Sequence, residues 1–274
     1  MGRKVFVRLG PSSTTSLIEA LDLGPREHIA FVGGGGKTSL MFALAEELLG
    51  RNRTVLTSTT TKVFYKEAEL APLLVLLEGS VKMKELGETL KSGRHVFVSE
   101  RLLDSGKVQG IAPSLADTFY RELPLDYLLV EADGSAGHPA KAPAAHEPVI
   151  PESVTIVLAL LGLEALGRVF SPETVFRPEL AAKIMLLRPG EELSVSALAK
   201  LFLNPQGLFK GSPASAKRMA FLNKLDLLAE GSKATDLSDL ILADVKGGVT
   251  RTIIGSLKKK SYLVKRNSHG RHLS

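Results

Sequence analysis

The 274-residue chain contains no cysteine. That absence excludes disulfides, thiolate metal sites, a cysteine nucleophile and a persulfide carried on the chain itself. It also fits a reducing compartment. No stretch approaches the 18 or more apolar residues of a membrane span, and the opening MGRKVFVRLGPSS has no apolar core. The expectation is a soluble, cytoplasmic protein with no membrane partner. No internal repeat or low-complexity segment stands out apart from a glycine run and TSTTT. Charge of one sign is missing at the C-terminal end: between Leu257 and Ser274 there are six Lys or Arg and no acid. With those six set aside, the remaining basic residues of the 35 balance the 29 acids, so the net charge of +6 resides in this tail. Its only aromatic is Tyr262 and the body shows no basic stripe, which argues against nucleic-acid binding. Residues 258–274 are therefore expected to be a solvated, disordered end.

What is present is a repeated alternation of short apolar runs with amphipathic stretches. Strands are expected near 29–32, 54–58, 73–77, 95–98, 126–131, 154–159, 219–222 and 251–255. Helices are expected near 14–22, 37–50, 81–91, 114–122, 178–187, 194–203 and 235–245, with Ser194 as an N-cap. The pattern predicts an α/β fold, a mostly parallel sheet with helices on both faces. Residues 161–214 carry two helices and several Pro/Gly breaks without a convincing strand, and read as a small helical insertion in a domain spanning 1–257.

HIAFVGGGGKTSL, residues 28–40, joins an apolar strand to an amphipathic helix through four glycines. In such a turn, backbone N–H groups and the helix N-terminus can surround a phosphate. Gly33, Gly34, Gly35 and Gly36 would approach it, Lys37 would reach the β- and γ-phosphates, Thr38 would ligate Mg²⁺, and Ser39 lies in the same turn. Gly36, Lys37 and Thr38 match the fixed positions of GxxxxGK[ST], but its first glycine is replaced by Phe31. The chain thus reads as a P-loop NTPase.

Three further segments fall at strand ends, the edge where α/β sheets bind ligands. TVLTSTTTKVF offers Thr59 and Thr60 as candidate phosphate or magnesium contacts, or as ordinary β-branched strand residues. YLLVEADGSAGHPAKAP runs straight into Glu131 and Asp133, placed to hold Mg²⁺ or to orient water, with Gly134 offering an N–H to a γ-phosphate. Which acid is nearer the metal is left open. FLNKLD contains Asn223, Lys224 and Asp226 in the NKxD pattern: the aspartate can accept from guanine N1–H and the 2-amino group, which adenine lacks, while asparagine holds the base edge and lysine covers the ring. RTIIGSLK is a weaker fourth segment, bringing Gly255 and Ser256 toward the base. His138 and His146 flank Lys141, with Glu147 adjoining; their spacing is not that of a helical metal pair, and ordinary loop hydrogen bonding is the expectation.

VGGGGKTSLMFALAEEL, VLTSTTTKVF, LLVEADGSAGHPAKAPAAHEPVIP, FRPELAA and FLNKLD together resemble the YqeC family of selenium-dependent hydroxylase accessory proteins, over residues 14–257. More distantly, Glu131-x-x-Gly134 and NKLD resemble the metallochaperone P-loop GTPases of hydrogenase and urease assembly, which often work as nucleotide-gated dimers. The resemblance implies GTP (or ATP) and Mg²⁺ as cofactors, a homodimer, and a molybdenum hydroxylase or its cofactor-assembly factors as partner. GTP hydrolysis is expected, with a small-molecule kinase, an ATPase and a nucleotide-responsive binding module without turnover as alternatives.

Overall fold

The computed structural model describes residues 12–267. In chain order its strands are β1 (Ser12–Thr14), β2 (Glu27–Gly33), β3 (Val55–Thr59), β4 (Lys62–Phe64), β5 (Leu73–Leu76), β6 (His95–Ser99), β7 (Arg101–Leu102), β8 (Lys107–Gln109), β9 (Tyr127–Glu131), β10 (Ala140–Lys141), β11 (Ile156–Gly162), β12 (Val175–Phe176), β13 (Lys217–Asn223), β14 (Val249–Ser256) and β15 (Ser261–Arg266). The helices are α1 (Leu17–Leu21), α2 (Lys37–Gly50), α3 (Tyr65–Ala68), α4 (Met83–Gly93), α5 (Pro113–Glu122), α6 (Pro178–Met185), α7 (Val195–Leu203) and α8 (Gly231–Ala243). All eight expected strands and seven expected helices are present, with ends shifted by a few residues.

Ten strands form one sheet in the order β1-β15-β14-β13-β11-β2-β9-β3-β6-β5. From β14 to β5 every pairing is parallel; β15 and β1 add antiparallel at one edge. The period-2 alternation of side chains sorts the core into layers. From β2 and β11, Ile29, Phe31, Leu158 and Leu160 pack on one face with Leu40, Met41 and Leu44 of α2. Ala30, Val32, Val157 and Ala159 pack on the other with residues of α6, α7 and α8. Farther along that face, Leu56, Val96 and Leu128 meet Leu86 and Leu90 of α4 and Phe119 of α5.

The topology puts the end of β2 at a special place. After β2 the chain crosses to β3, returns through β9 into the gap between them, and only then reaches β11 on the far side of β2. The glycine run therefore leaves the sheet where strand order reverses, the crevice in which open α/β sheets hold ligands.

Two expectations change. Residues 258–266 are not a disordered tail: Lys258–Lys260 lie in the turn between β14 and β15, and β15 pairs with β14 in register from Ser256↔Ser261 to Arg251↔Arg266. Tyr262 and Val264 are buried while Ser261 and Arg266 are exposed, so an apolar alternation inside the basic run drives the pairing. Residues 268–274 of that tail lie outside the described residues. The segment after β11, expected to lack strands, contains β12, which pairs parallel with β10 and ties the helical region to the loop after β9. Ser194 caps α7 as expected, accepting from the Ala197 N–H at 3.2 Å.

Candidate functional site

Phe31 sits inside β2, fully buried and paired with Leu158 and Glu131. The strand simply continues two residues past the position where the motif asks for glycine, so the tight turn begins later. It is clamped on three sides. The Gly33 N–H faces both Asp133 oxygens at 3.2 and 3.0 Å, the Gly34 N–H donates to the Leu160 carbonyl at 3.0 Å, and the Gly35 N–H to the His138 carbonyl at 3.0 Å. A Cβ at Gly35 would overlap the Gly162 backbone, and its φ of +81° lies in the left-handed region.

Beyond the clamp the backbone is free to face an anion. The helix ladder of α2 starts with the Leu40 N–H donating to the Gly36 carbonyl at 2.9 Å, so the N–H groups of Lys37, Thr38 and Ser39 precede it. Gly36 supplies no side-chain cap. These groups lie at the positive end of a 14-residue helix.

The side chains around this turn form a buried ionic cluster. Lys37 donates to the Gly33 carbonyl at 2.7 Å and the Ser135 hydroxyl at 3.2 Å, and lies 3.3 Å from Asp133 and 3.5 Å from Glu131. Burial opposes its charge, but the Asp133 and Glu131 carboxylates more than offset this and raise the ammonium above its ordinary range. Glu131 ends β9 and accepts from the Thr38 hydroxyl at 2.8 Å. Burial pushes its carboxyl up, and Lys37 and Thr38 oppose this only in part.

The two expected acids are thus differently engaged. Asp133 is 1% exposed and its oxygens face the Gly33 N–H, Lys37 and Lys141, the last at 3.0 Å. It lies inside the loop clamp, whereas Glu131 stands against Thr38. Thr59 and Thr60 are also spoken for: their hydroxyls donate to the carbonyls of Glu131 at 2.9 Å and Val149 at 2.7 Å. They tie the strand end down, the alternative left open from the sequence.

Three residues the sequence reading did not assign join this cluster. Lys141, in β10, is fully buried; besides Asp133 it donates to the Gly134 carbonyl at 2.7 Å and to Glu147 at 2.7 Å. Glu147 receives a bidentate pair from Arg177, the residue preceding α6. Although burial acts against its charge, hydrogen bonds from Arg177 and Lys141 hold the Glu147 carboxyl down at about 2. The only signal in the sequence was a Lys and a Glu in a proline-rich loop, with their partners 8 residues upstream and 30 residues downstream. His146 is exposed, and the His138 ring nitrogens lie 3.1 and 2.9 Å from the carbonyl oxygens of Ser135 and Pro172, which is loop hydrogen bonding as expected. Among the described residues no group of three or more His, Cys, Asp or Glu could hold a metal.

At the end of β13, the residues of the NKLD segment are differently engaged. Asn223 is buried; its amide donates to the Gly35 carbonyl at 2.9 Å and its oxygen accepts from Leu257 N–H at 3.3 Å. Both ends are engaged by backbone, which ties the end of β13 to the glycine turn. Lys224 is ion-paired with Glu164. Asp226 is exposed, and the Ser256 hydroxyl, ahead of Lys258 and Lys259, holds its carboxyl below the usual range. The turn after β14 therefore does lie beside NKLD, and Gly255 is there because a Cβ would overlap the Ser261 carbonyl across the β14–β15 pair.

Comparisons with known proteins show the family of the chain. A family model described as YqeC protein matches residues 29–179. A protein of Escherichia coli (strain K12) described as "Uncharacterized protein YqeC" is 37% identical over 207 residues, covering 74% of this chain and 79% of that protein. Among solved structures, chloroplast FtsY from Physcomitrella patens has a TM-score of 0.41 at 13% identity, covering 91% of this chain and 65% of that one. FtsY from Mycoplasma mycoides has a TM-score of 0.40 at 10% identity, covering 87% and 63%. The chain thus spans less than two thirds of the length of either FtsY. The chain belongs to the YqeC family.

Proposed function

From this family membership and the cluster at the end of β2, we propose that the protein is a Mg²⁺-dependent nucleoside-triphosphate-binding P-loop protein that hydrolyses its nucleotide, with guanine preferred. The observation that carries the reading is the Thr38 hydroxyl on the Glu131 carboxylate, 2.8 Å apart, beside Lys37 at an uncapped helix N-terminus. A hydroxyl and a carboxylate are hard oxygen donors, and phosphate oxygens and waters would complete the shell that Mg²⁺ prefers. Thr38 and Glu131 would hold the ion, and when bound it would neutralise charge on the β- and γ-phosphates. The N–H groups from Gly36 to Ser39 would receive phosphate oxygens, Lys37 would turn from its carboxylates toward them, and the Gly134 N–H would border the third phosphate. Asp226 would accept from guanine, with Ser256 orienting it, while Asn223 and Lys224 hold the platform on which it stands.

The family resemblance supports a role in maturing a selenium-dependent molybdenum hydroxylase. Without cysteine, the chain would act on a partner or bind a selenium species noncovalently rather than as a covalent selenium carrier.

The test is a titration with GTP, GDP, ATP and ADP, with and without Mg²⁺, on the wild type and Asp226→Asn. Guanine preference that disappears in the variant supports the reading. Adenine preference, or equal binding of both bases, removes the guanine assignment and moves the ATPase and kinase alternatives forward. Phosphorylation of an added metabolite would separate those two. A nucleotide-dependent gain in activity of the apo-hydroxylase on adding this chain tests the maturation role.

A further inference from the structure

The cluster contains three carboxylates, Glu131, Asp133 and Glu147, and three cations, Lys37, Lys141 and Arg177. They are arranged as a chain: Lys37 to Asp133, Asp133 to Lys141, Lys141 to Glu147, Glu147 to Arg177. If Lys37 moves to phosphate, Asp133 loses one of its two cationic partners while remaining 1% exposed. A buried carboxylate stripped of its cations is strongly destabilising. Lys141 remains 3.0 Å from Asp133 and also grips the carbonyl of Gly134, the next residue.

Lys141 is itself a fully buried ammonium, and Glu147 aims it. Arg177 in turn fixes Glu147 with two bonds, a geometry that a point charge cannot reproduce. The Arg177 backbone is left-handed, φ 59°, although the residue is not glycine. That region disfavours a residue bearing a Cβ, and Arg177 occupies it while making its paired bonds to Glu147. Phe176 packs against the guanidinium at 4.7 Å.

We infer that Lys141 is a positioning residue for the third phosphate: aimed by Glu147 and Arg177, it keeps Asp133 on the Gly33 N–H and the Gly134 turn in place when Lys37 is drawn to nucleotide. The inference rests on the nucleotide reading above. Since Gly134 borders the third phosphate in that reading, loss of the chain acts on triphosphate more than on diphosphate.

The experiment measures affinities for GTPγS and GDP, with ATPγS and ADP alongside, in Mg²⁺, for wild type, Lys141→Met, Arg177→Gln and Arg177→Lys. The expected result is that triphosphate-over-diphosphate preference falls about tenfold, or about 1.4 kcal/mol, in Lys141→Met and Arg177→Gln. Arg177→Lys should recover part of it. Arg177 is at the partly exposed end of the chain, so its variants carry the test if Lys141→Met does not fold. A general loss of structure would weaken both nucleotides together. An unchanged preference in Arg177→Gln, or equal loss of tri- and diphosphate, overturns the inference while leaving nucleotide binding intact. A wild type that binds no nucleotide overturns the underlying reading and this inference with it.

Discussion

The side-chain amide of Asn223 donates to the carbonyl of Gly35 at 2.9 Å, joining residues 188 positions apart in the chain. With the Leu257 N–H on its oxygen, Asn223 fastens the glycine turn, the end of β13 and the start of the β14–β15 turn to one another. Asn223→Ala is therefore expected to leave buried backbone groups unpaired and to cost about 1–3 kcal/mol in denaturant unfolding. It should weaken guanine and adenine nucleotides alike, whereas Asp226→Asn should alter only their ratio. A variant that keeps its stability and loses only base preference would return Asn223 to direct recognition of the base.

Gly35 has no room for a side chain. Gly35→Ala sets a methyl group against the Gly162 backbone at a φ of +81°. Thermal melting should show destabilisation of about 2–4 kcal/mol, and nucleotide binding should fall with it. Gly79, also left-handed but with nothing near its hypothetical Cβ, provides the control: Gly79→Ala should retain binding.

Lys37 is held by shape as well as charge, since its ammonium fits among Gly33, Ser135, Asp133 and Glu131. Lys37→Met is expected to lower triphosphate turnover about 100-fold or more. Lys37→Arg should fail equally, because a planar fork does not fit the same slot. Unchanged phosphate release in either variant would sink the P-loop assignment.

Stability should fall as the solution is acidified. His28 is buried and held at about 3, chiefly by burial, with Asp117 acting in the opposite direction. His95 is held at about 4 by burial. Both titrate at 6.5 when unperturbed, so between 6.5 and about 4 the unfolded chain binds protons that the folded chain refuses. Stability is full above 6.5 and is lost as pH falls, by about 1.4 kcal/mol per pH unit for each group. Below 4.5, the ordinary value for a glutamate, Glu147 adds a loss of the same sign because its folded value is about 2. Denaturant melts from pH 7.5 to 4 should show this slope, and His28→Gln should flatten it. A slope insensitive to that change would mean His28 is not the buried neutral group described.

The sequence by itself determined the framework: eight parallel strands, the flanking helices, the glycine turn with Lys37 and Thr38, and the acid pair at the end of β9. Each is written within a dozen neighbouring residues, as a hydrophobic period or a short motif, because local backbone geometry sets it. Only the tertiary structure decided that Glu131, not Asp133, stands against Thr38, that Asn223 is a fastening, and that Lys141, Glu147 and Arg177 extend the cluster toward α6. It also decided that Tyr262 and Val264 carry a strand inside a basic segment. Those outcomes depend on which buried charge meets which partner across long stretches of chain. A buried ion is tolerable only with its counter-ion in place, and packing, rather than spacing along the sequence, selects that partner.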